Sequence, residues 1–212
     1  DADRCLAVDE KRKEIDGDQI MAVCAEYLTA QGKLQSEGFV ATVMSNLGLH
    51  KFCEQQHLKL LCAAVGDRYV LEEMLLEEYS FGGEQSGHII FLEHMTTGDG
   101  QLAALQFLSI LGRSGKKASE LAGQITHYPQ VLKNVKVGSN EEKTAVLNSA
   151  ELAQTVAREE EKLSGRGRIL LRASGTEPLI RVMAEADTQD LAESVVKTLV
   201  EAVENVQKIL KK

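Results

Sequence analysis

The sequence predicts an α/β domain followed by a smaller α+β domain, on three observations. From Cys5 to Leu111, short apolar, β-rich runs alternate with stretches of helical periodicity, the pattern of a sheet with helices on its faces. At His127-Tyr128-Pro129 that pattern stops, because proline disfavours helix for the residue before it. The stretch after Pro129, beginning with VLKNVKV, reads strand, helix, strand, strand, helix.

Taken in order, Cys5 to Val8 is a short apolar strand that leads through DEKRK to a turn at Asp16-Gly17-Asp18. A helix is expected from Gln19 to Gln31, with Asp18 as its cap, Ile20, Val23, Cys24, Tyr27 and Leu28 at helical spacing, and Gly32 at its end. Phe39 to Met44 and Leu58 to Val65 read as strands, Leu47 to Gln55 and Asp67 to Leu76 as helices. Ile89 to Leu92 is a further strand and Gln101 to Leu111 a further helix, with the Asp99 carboxylate suited to its positive end, and Gly112 and the SGKK stretch close that unit.

Beyond the boundary, Val131 to Val137 alternates with period two, as a half-buried strand does. A helix from Ala150 to Leu163, strands at Arg168 to Leu171 and Leu179 to Ala186, and a last helix from Gln189 to Leu210 complete the domain. In that helix Leu191, Val195, Leu199, Val203, Val206 and Leu210 share one face, and Thr188 can cap it.

The bulk properties bound the function. At 212 residues, 43% hydrophobic and 26% charged, the chain can build one or two cores of ordinary size. A net charge of -8 argues against a general nucleic-acid binder, so any phosphate site must be local. Cys5, Cys24, Cys53 and Cys62 show no CxxC spacing and sit among apolar residues, which predicts buried free thiols and fits a reducing cytoplasm. No apolar run reaches the roughly 18 residues that span a bilayer, and no charged-then-apolar leader opens the chain, so a protein without a membrane partner is expected. The chain opens on Asp1 and runs at once into a strand, which leads us to expect further sequence upstream.

Four segments carry residues suited to chemistry. In Arg172-Ala173-Ser174-Gly175-Thr176-Glu177-Pro178, small residues let backbone N–H groups approach an anion, Ser174 and Thr176 add hydroxyls, and Arg172 and Arg181 supply guanidinium forks matched to phosphate. A polar turn with two solvated arginines fits the same spacing. Gly82-Gly83-Glu84-Gln85-Ser86-Gly87-His88 offers Glu84, Ser86 and His88 at alternate positions, able to point one way at vicinal hydroxyls, although a glycine-rich turn with exposed Glu and His reads equally well. Asp1 and Asp3 could share a hard cation such as magnesium or form a merely charged terminus. Gly66-Asp67-Arg68-Tyr69 opens a helix whose N-terminus, with Arg68, could face an anion, although capping by Asp67 explains most of it.

Together and in this order the four segments resemble the α-D-phosphohexomutase superfamily over essentially the whole chain, and within it the phosphoglucosamine mutase branch. Gly83, Glu84, Ser86 and His88 match the family's sugar loop GE-x-S-x-H, and Arg172, Ser174, Gly175, Thr176 and Arg181 match its phosphate loop RASGTEP-x-x-R. Asp1, Asp3 and Arg4 match the later part of its magnesium loop DGD-x-DR, whose first Asp and Gly are absent here, so the Mg2+ site is expected to be incomplete. The forms GEQSGH, ATVMSNLGLH, AVGDRYV and TTGDG point to the glucosamine branch, with phosphomannomutase or phosphoglucomutase as alternatives and a noncatalytic phosphosugar-binding module as another.

The resemblance implies a three-layer α/β/α sugar-binding domain at residues 16–127, an α+β phosphate-binding domain at 128–212 and, at 1–15, a remnant of the preceding metal-loop domain. It further implies, for the whole enzyme, interconversion of glucosamine 6-phosphate and glucosamine 1-phosphate, a step toward amino-sugar nucleotides and cell-wall precursors. The phosphoserine that transfers the phosphoryl group belongs to the family's first domain and has no match here. Without those N-terminal domains as partners, this stretch is expected to bind a phosphosugar without turnover.

Overall fold

The computed structural model describes residues 1–175 and 177–210. The chain divides into two compact units, Asp1–His127 and Tyr128–Lys212. Among the described residues, no helix is long and apolar enough to cross a membrane.

In the first unit, β1 (Ala7–Val8) and β2 (Glu14–Ile15) pair antiparallel and deliver the chain to α1 (Gly17–Ala30). Asp16, not Asp18, caps α1. The Asp16 carboxylate accepts from the Gln19 N–H at 3.0 Å while the Gln19 side chain accepts from the Asp16 N–H at 3.1 Å. This reciprocal pair satisfies two donors at once, which a carboxylate further into the helix cannot do. Asp18 is instead buried and accepts from the Asn46 N–H at 2.7 Å.

The chain continues through β3 (Gly38–Thr42), α2 (Leu47–Gln56), β4 (Lys59–Ala63), α3 (Asp67–Leu76), β5 (Phe81–Gly83), β6 (Ile89–Phe91), α4 (Gly100–Ser114) and α5 (Ala118–Ala122). The sheet order is β4-β3-β5-β6, with β3 parallel to β4 and β5, and β6 antiparallel to β5. Strand alternation sends Phe39 and Ala41 into a core shared with α1, α2, α4 and α5, and Val40 into one shared with Val70 and Met74 of α3. Helices therefore cover both faces, the three-layer α/β/α arrangement.

Two expectations change here. α4 runs past Leu111 and Gly112 to Ser114 and ends at Gly115 of the SGKK stretch, whose φ of 66° suits a left-handed cap. Gly82 and Gly83 belong to β5 rather than to an open loop. A Cβ on Gly82 would lie 2.8 Å from the Met74 sulfur, and one on Gly83 2.6 Å from the His88 carbonyl, so both glycines answer to close packing.

In the second unit, β7 (Gln130–Lys136), α6 (Asn140–Leu147), α7 (Ala150–Leu163), β8 (Gly167–Ala173), β9 (Leu179–Ala186) and α8 (Gln189–Leu210) form a fully antiparallel sheet of order β7-β9-β8 with its helices. Ile180, Val182, Ala184 and Ala186 of β9 share a core with Val195, Leu199, Val203 and Val206 of α8, four of the six residues expected on its apolar stripe. Leu210 is 49% exposed where the helix runs out. Thr188 Oγ1 accepts from the Leu191 N–H at 3.3 Å as the cap. The sequence does not foretell α6, because only Lys143 and Val146 of its residues are buried and they make no stripe.

Candidate functional sites in the two units

In the first unit a tight turn holds Glu84. Its N–H donates to the His88 carbonyl and its own carbonyl accepts from the Gly87 N–H, both at 2.9 Å. Glu84 is 8% exposed. One carboxylate oxygen accepts from the Gly66 N–H at 3.2 Å and the other from the Ser86 hydroxyl at 3.4 Å. Gly66 precedes α3, so the turn is anchored to a helix N-terminus and two of the expected segments meet. Arg68 takes no part: it pairs with Glu72 one turn on, at 2.8 Å, on the surface.

α1 fixes the same turn from a second side. The Gly17 N–H donates to the Gln85 carbonyl at 2.9 Å, and a Cβ on Gly17 would lie 2.1 Å from the Glu84 carbonyl. The Asp16 cap also accepts from the Gln85 side chain at 3.4 Å and has the His127 ring 3.7 Å away.

The expectation that Glu84, Ser86 and His88 point one way holds only for the first two. His88 turns inward, 4% exposed, where its Nε2 accepts from the Gly98 N–H at 3.0 Å. That leaves the proton on Nδ1, which faces Asp3 Oδ2 at 3.3 Å. The turn's constraint, a Gly87 φ of 89°, seats it on the Cys5 carbonyl, and the Cys5 N–H donates to the Gly87 carbonyl at 3.0 Å. The chain's opening segment thus lies against the 84–88 turn, through Asp3 on His88 and Cys5 on Gly87.

A backbone hydrogen bond, then the His88 hydrogen bond and nearby positive charge, hold the Asp3 carboxyl below the usual range against some burial. Its oxygens and those of Asp1 are the right type for magnesium, but two carboxylates supply only part of an octahedral oxygen shell. Among the described residues no three His, Cys, Asp or Glu side chains cluster as a metal site.

In the second unit the register sets the chemistry. Arg172 of β8 stands directly opposite Arg181 of β9, and Arg181 directly opposite Asn134 of β7, on the sheet face away from the shared helical core. Like charges opposed across an antiparallel pair repel. Burial, and secondly Arg181, push the Arg172 guanidinium below its ordinary range. The Nε atoms of both arginines are buried without a hydrogen bond, although two rows along the same strands Arg168 finds Glu185 at 2.6 Å.

The loop beyond the arginines is stiff on one side and open on the other. Ser174 is 2% exposed and its hydroxyl accepts from the Glu177 N–H at 3.3 Å, while a Cβ on Gly175 would meet nothing within 4 Å. Thr176 lies outside the described residues. Lys143 of α6, which no sequence pattern singles out, reaches the loop from behind, its ammonium 2.7 Å from the Ser174 carbonyl and 3.4 Å from that of Glu177. A groove of about 1060 Å³ between β7 and α8 contains neither arginine in its lining, so the cationic pair on β8 and β9 lies outside that groove. All four cysteines are free, and burial pushes the Cys24 and Cys53 thiols up to about 12.

Comparison with known proteins matches this division. Residues 16–128 match the family model for phosphoglucomutase/phosphomannomutase, alpha/beta/alpha domain III, and residues 132–202 that for the phosphoglucomutase/phosphomannomutase C-terminal domain. The chain is 52% identical over 204 residues to phosphoglucosamine mutase of Lactococcus lactis, covering 96% of this chain and 45% of that protein. It is 54% identical over 200 residues to phosphoglucosamine mutase of Anoxybacillus flavithermus, covering 94% and 44%. The chain thus spans less than half the length of these curated relatives. Among solved structures, an N-acetylglucosamine-phosphate mutase of the alpha-D-phosphohexomutase superfamily, in its substrate complex, superposes with a TM-score of 0.76 at 25% identity over 95% of this chain and 47% of that one. Aspergillus fumigatus N-acetylphosphoglucosamine mutase, in complex with GlcNAc-6P and magnesium, gives 0.76 at 22% identity, over 96% and 50%.

Proposed function

Because the chain belongs to the phosphoglucomutase/phosphomannomutase family, we propose that it is the sugar- and phosphate-gripping part of a phosphoglucosamine mutase, which interconverts glucosamine 6-phosphate and glucosamine 1-phosphate. The observation that carries the reading is the Arg172–Arg181 pair, two opposed guanidinium groups with buried, unpartnered Nε atoms beside an open glycine loop. Such a pair suits the three oxygens of a phosphate that is held and not transferred.

Glu84 and Ser86 would accept from and donate to sugar hydroxyls, and the neutral His88 would hold Asp3. In the family's chemistry the two phosphates of the substrate exchange places between half-reactions. A site of fixed charge without further shape demands at the phosphate accepts either end. Asp1 and Asp3 would hold part of the shell of a magnesium ion, which when bound offsets charge on the phosphoryl group in transfer. The remaining work of these residues is positioning and electrostatic stabilisation. The phosphoserine is expected outside these 212 residues, so the chain alone should bind without converting its ligand.

The test is a titration of the ¹⁵N-labelled chain with glucosamine 6-phosphate, glucose 6-phosphate and inorganic phosphate, following the amides of residues 84–88 and 172–177. The reading expects the phosphate loop to respond to all three and residues 84–88 to respond most to the amino sugar. A stronger response to glucose 6-phosphate would move the assignment to a phosphoglucomutase. Silence in both loops at millimolar ligand would refute the grip assigned to these residues.

A further inference from the structure

Lys143 stands apart from the other lysines of the second unit. It is 8% exposed, and among the described residues its ammonium faces no carboxylate. Burying an ammonium without a counter-charge is costly, and the surface helix α6 could have carried any polar residue there at no such cost. The two groups that compensate it are both main-chain carbonyls of the phosphate loop, Ser174 at 2.7 Å and Glu177 at 3.4 Å.

The peptide geometry turns that contact into a constraint on the opposite side of the loop. In a trans peptide the C=O and the following N–H point in opposite directions. No cis bond occurs among the described residues, so the Ser174 C=O drawn onto Lys143 drives the Gly175 N–H away from α6. A Cβ added to Gly175 would meet nothing within 4 Å, so no packed neighbour crowds the loop at that residue. The second carbonyl belongs to Glu177, whose peptide leads into Pro178 and has no N–H to aim, so that contact only pins the loop's far end.

We propose that Lys143 is a positioning residue for phosphate recognition: from behind the loop it fixes the Ser174–Gly175 peptide so that the Gly175 N–H is presented to the anion held by Arg172 and Arg181. The inference rests on the phosphate reading of that loop. It adds a preorganised backbone donor and a buried positive charge behind it to the two guanidinium groups. Backbone donors that need no reorientation on binding give more affinity than ones that must be ordered first.

The test compares the whole 212-residue chain with its K143M and K143Q variants, by ¹⁵N NMR of the Gly175 amide, by titration with inorganic phosphate, and by thermal melting. K143M keeps the length and apolar stem without the charge. It is expected to bind phosphate about tenfold more weakly, in line with one lost charge-assisted hydrogen bond, and to show a shifted Gly175 amide already in the free protein. K143Q keeps N–H donors and tolerates burial, so it decides the question if K143M does not fold; an intermediate affinity is expected. A variant that melts cooperatively, binds phosphate as the wild type does and leaves the Gly175 amide in place overturns the role of Lys143 while the phosphate reading stands. A wild-type chain that does not bind phosphate overturns that reading, and the inference with it.

Discussion

At the scale of single residues, the opposed arginines make a prediction with two signs. Their repulsion destabilises the free protein and an anion between them relieves it, so inorganic phosphate is expected to raise the melting temperature of the chain. Arg172→Ala removes both the repulsion and half the grip. It should abolish the phosphate-dependent rise and weaken phosphosugar binding by about 1.5 to 3 kcal/mol, measured by calorimetric titration, without lowering the melting temperature in phosphate-free buffer. A variant that melts far lower in that buffer would mean that Arg172 serves the sheet and not a ligand. The thiols give a second residue-scale prediction. Cys24 and Cys53 stay protonated in the fold up to about 12, against 9.0 for an ordinary thiol. Their folded values are raised, so the stability they contribute is present below about pH 9 and is lost as pH climbs from there toward 12. Urea midpoints should therefore fall as pH rises through about 9 and beyond, and less steeply in the Cys24→Ala, Cys53→Ala double variant. Parallel slopes would assign the alkaline loss to other groups.

At the scale of elements, two glycines with the same side chain have opposite roles. Gly17 opens α1 with the Glu84 carbonyl where its Cβ would be, so Gly17→Ala must push the 84–88 turn off the helix. The expected cost is about 1 to 3 kcal/mol by urea unfolding, with displaced Glu84 and Ser86 amides in the NMR spectrum. Gly112 lies inside α4 with nothing near it, and Gly112→Ala should stabilise the chain by about 0.5 to 1 kcal/mol through helix propensity alone. The contrast shows what the sequence discloses. Long elements that bury a periodic face, α7, α8 and β9, are legible to within a residue or two of their ends, as is α3, because burial repeats with the element's own period. β5 is hidden because it is three residues long and two of them are glycines, which leaves Phe81 alone as an apolar signal, and α6 because a polar eight-residue helix has no stripe. The same reason hides Lys143. A lysine in NEEKTAVL reads as solvated, and only the tertiary contact with Ser174 gives it a role. Conversely Arg172, Ser174 and Glu84 can be found because motif spacing places functional residues next to one another in sequence, whereas the inward turn of His88 depends on Gly98, ten residues away.

At the scale of the whole molecule, the two proposed grips belong to different units, which raises the question of whether each unit carries its chemistry alone. The second unit's core runs from Val131 to Val206 and is drawn wholly from its own residues. Its charged contacts close internally: Arg168 with Glu185, Arg166 with Asp187, Lys162 with Glu159, and Lys143 with the loop it supports. A stretch of this length can bury enough surface to fold by itself, though with modest stability. The isolated segment Tyr128–Lys212 is therefore expected to melt cooperatively by circular dichroism and to bind inorganic phosphate within about threefold of the intact chain, since rigid, self-contained sites change little when a neighbouring domain is removed. It should bind glucosamine 6-phosphate and glucose 6-phosphate equally, because Glu84 and Ser86 are gone. A cooperative melt with phosphate binding lost would show that the anion site needs a group from the first unit. A preference for the amino sugar that survives in the isolated segment would shift sugar recognition to the second unit and remove Glu84 from that role.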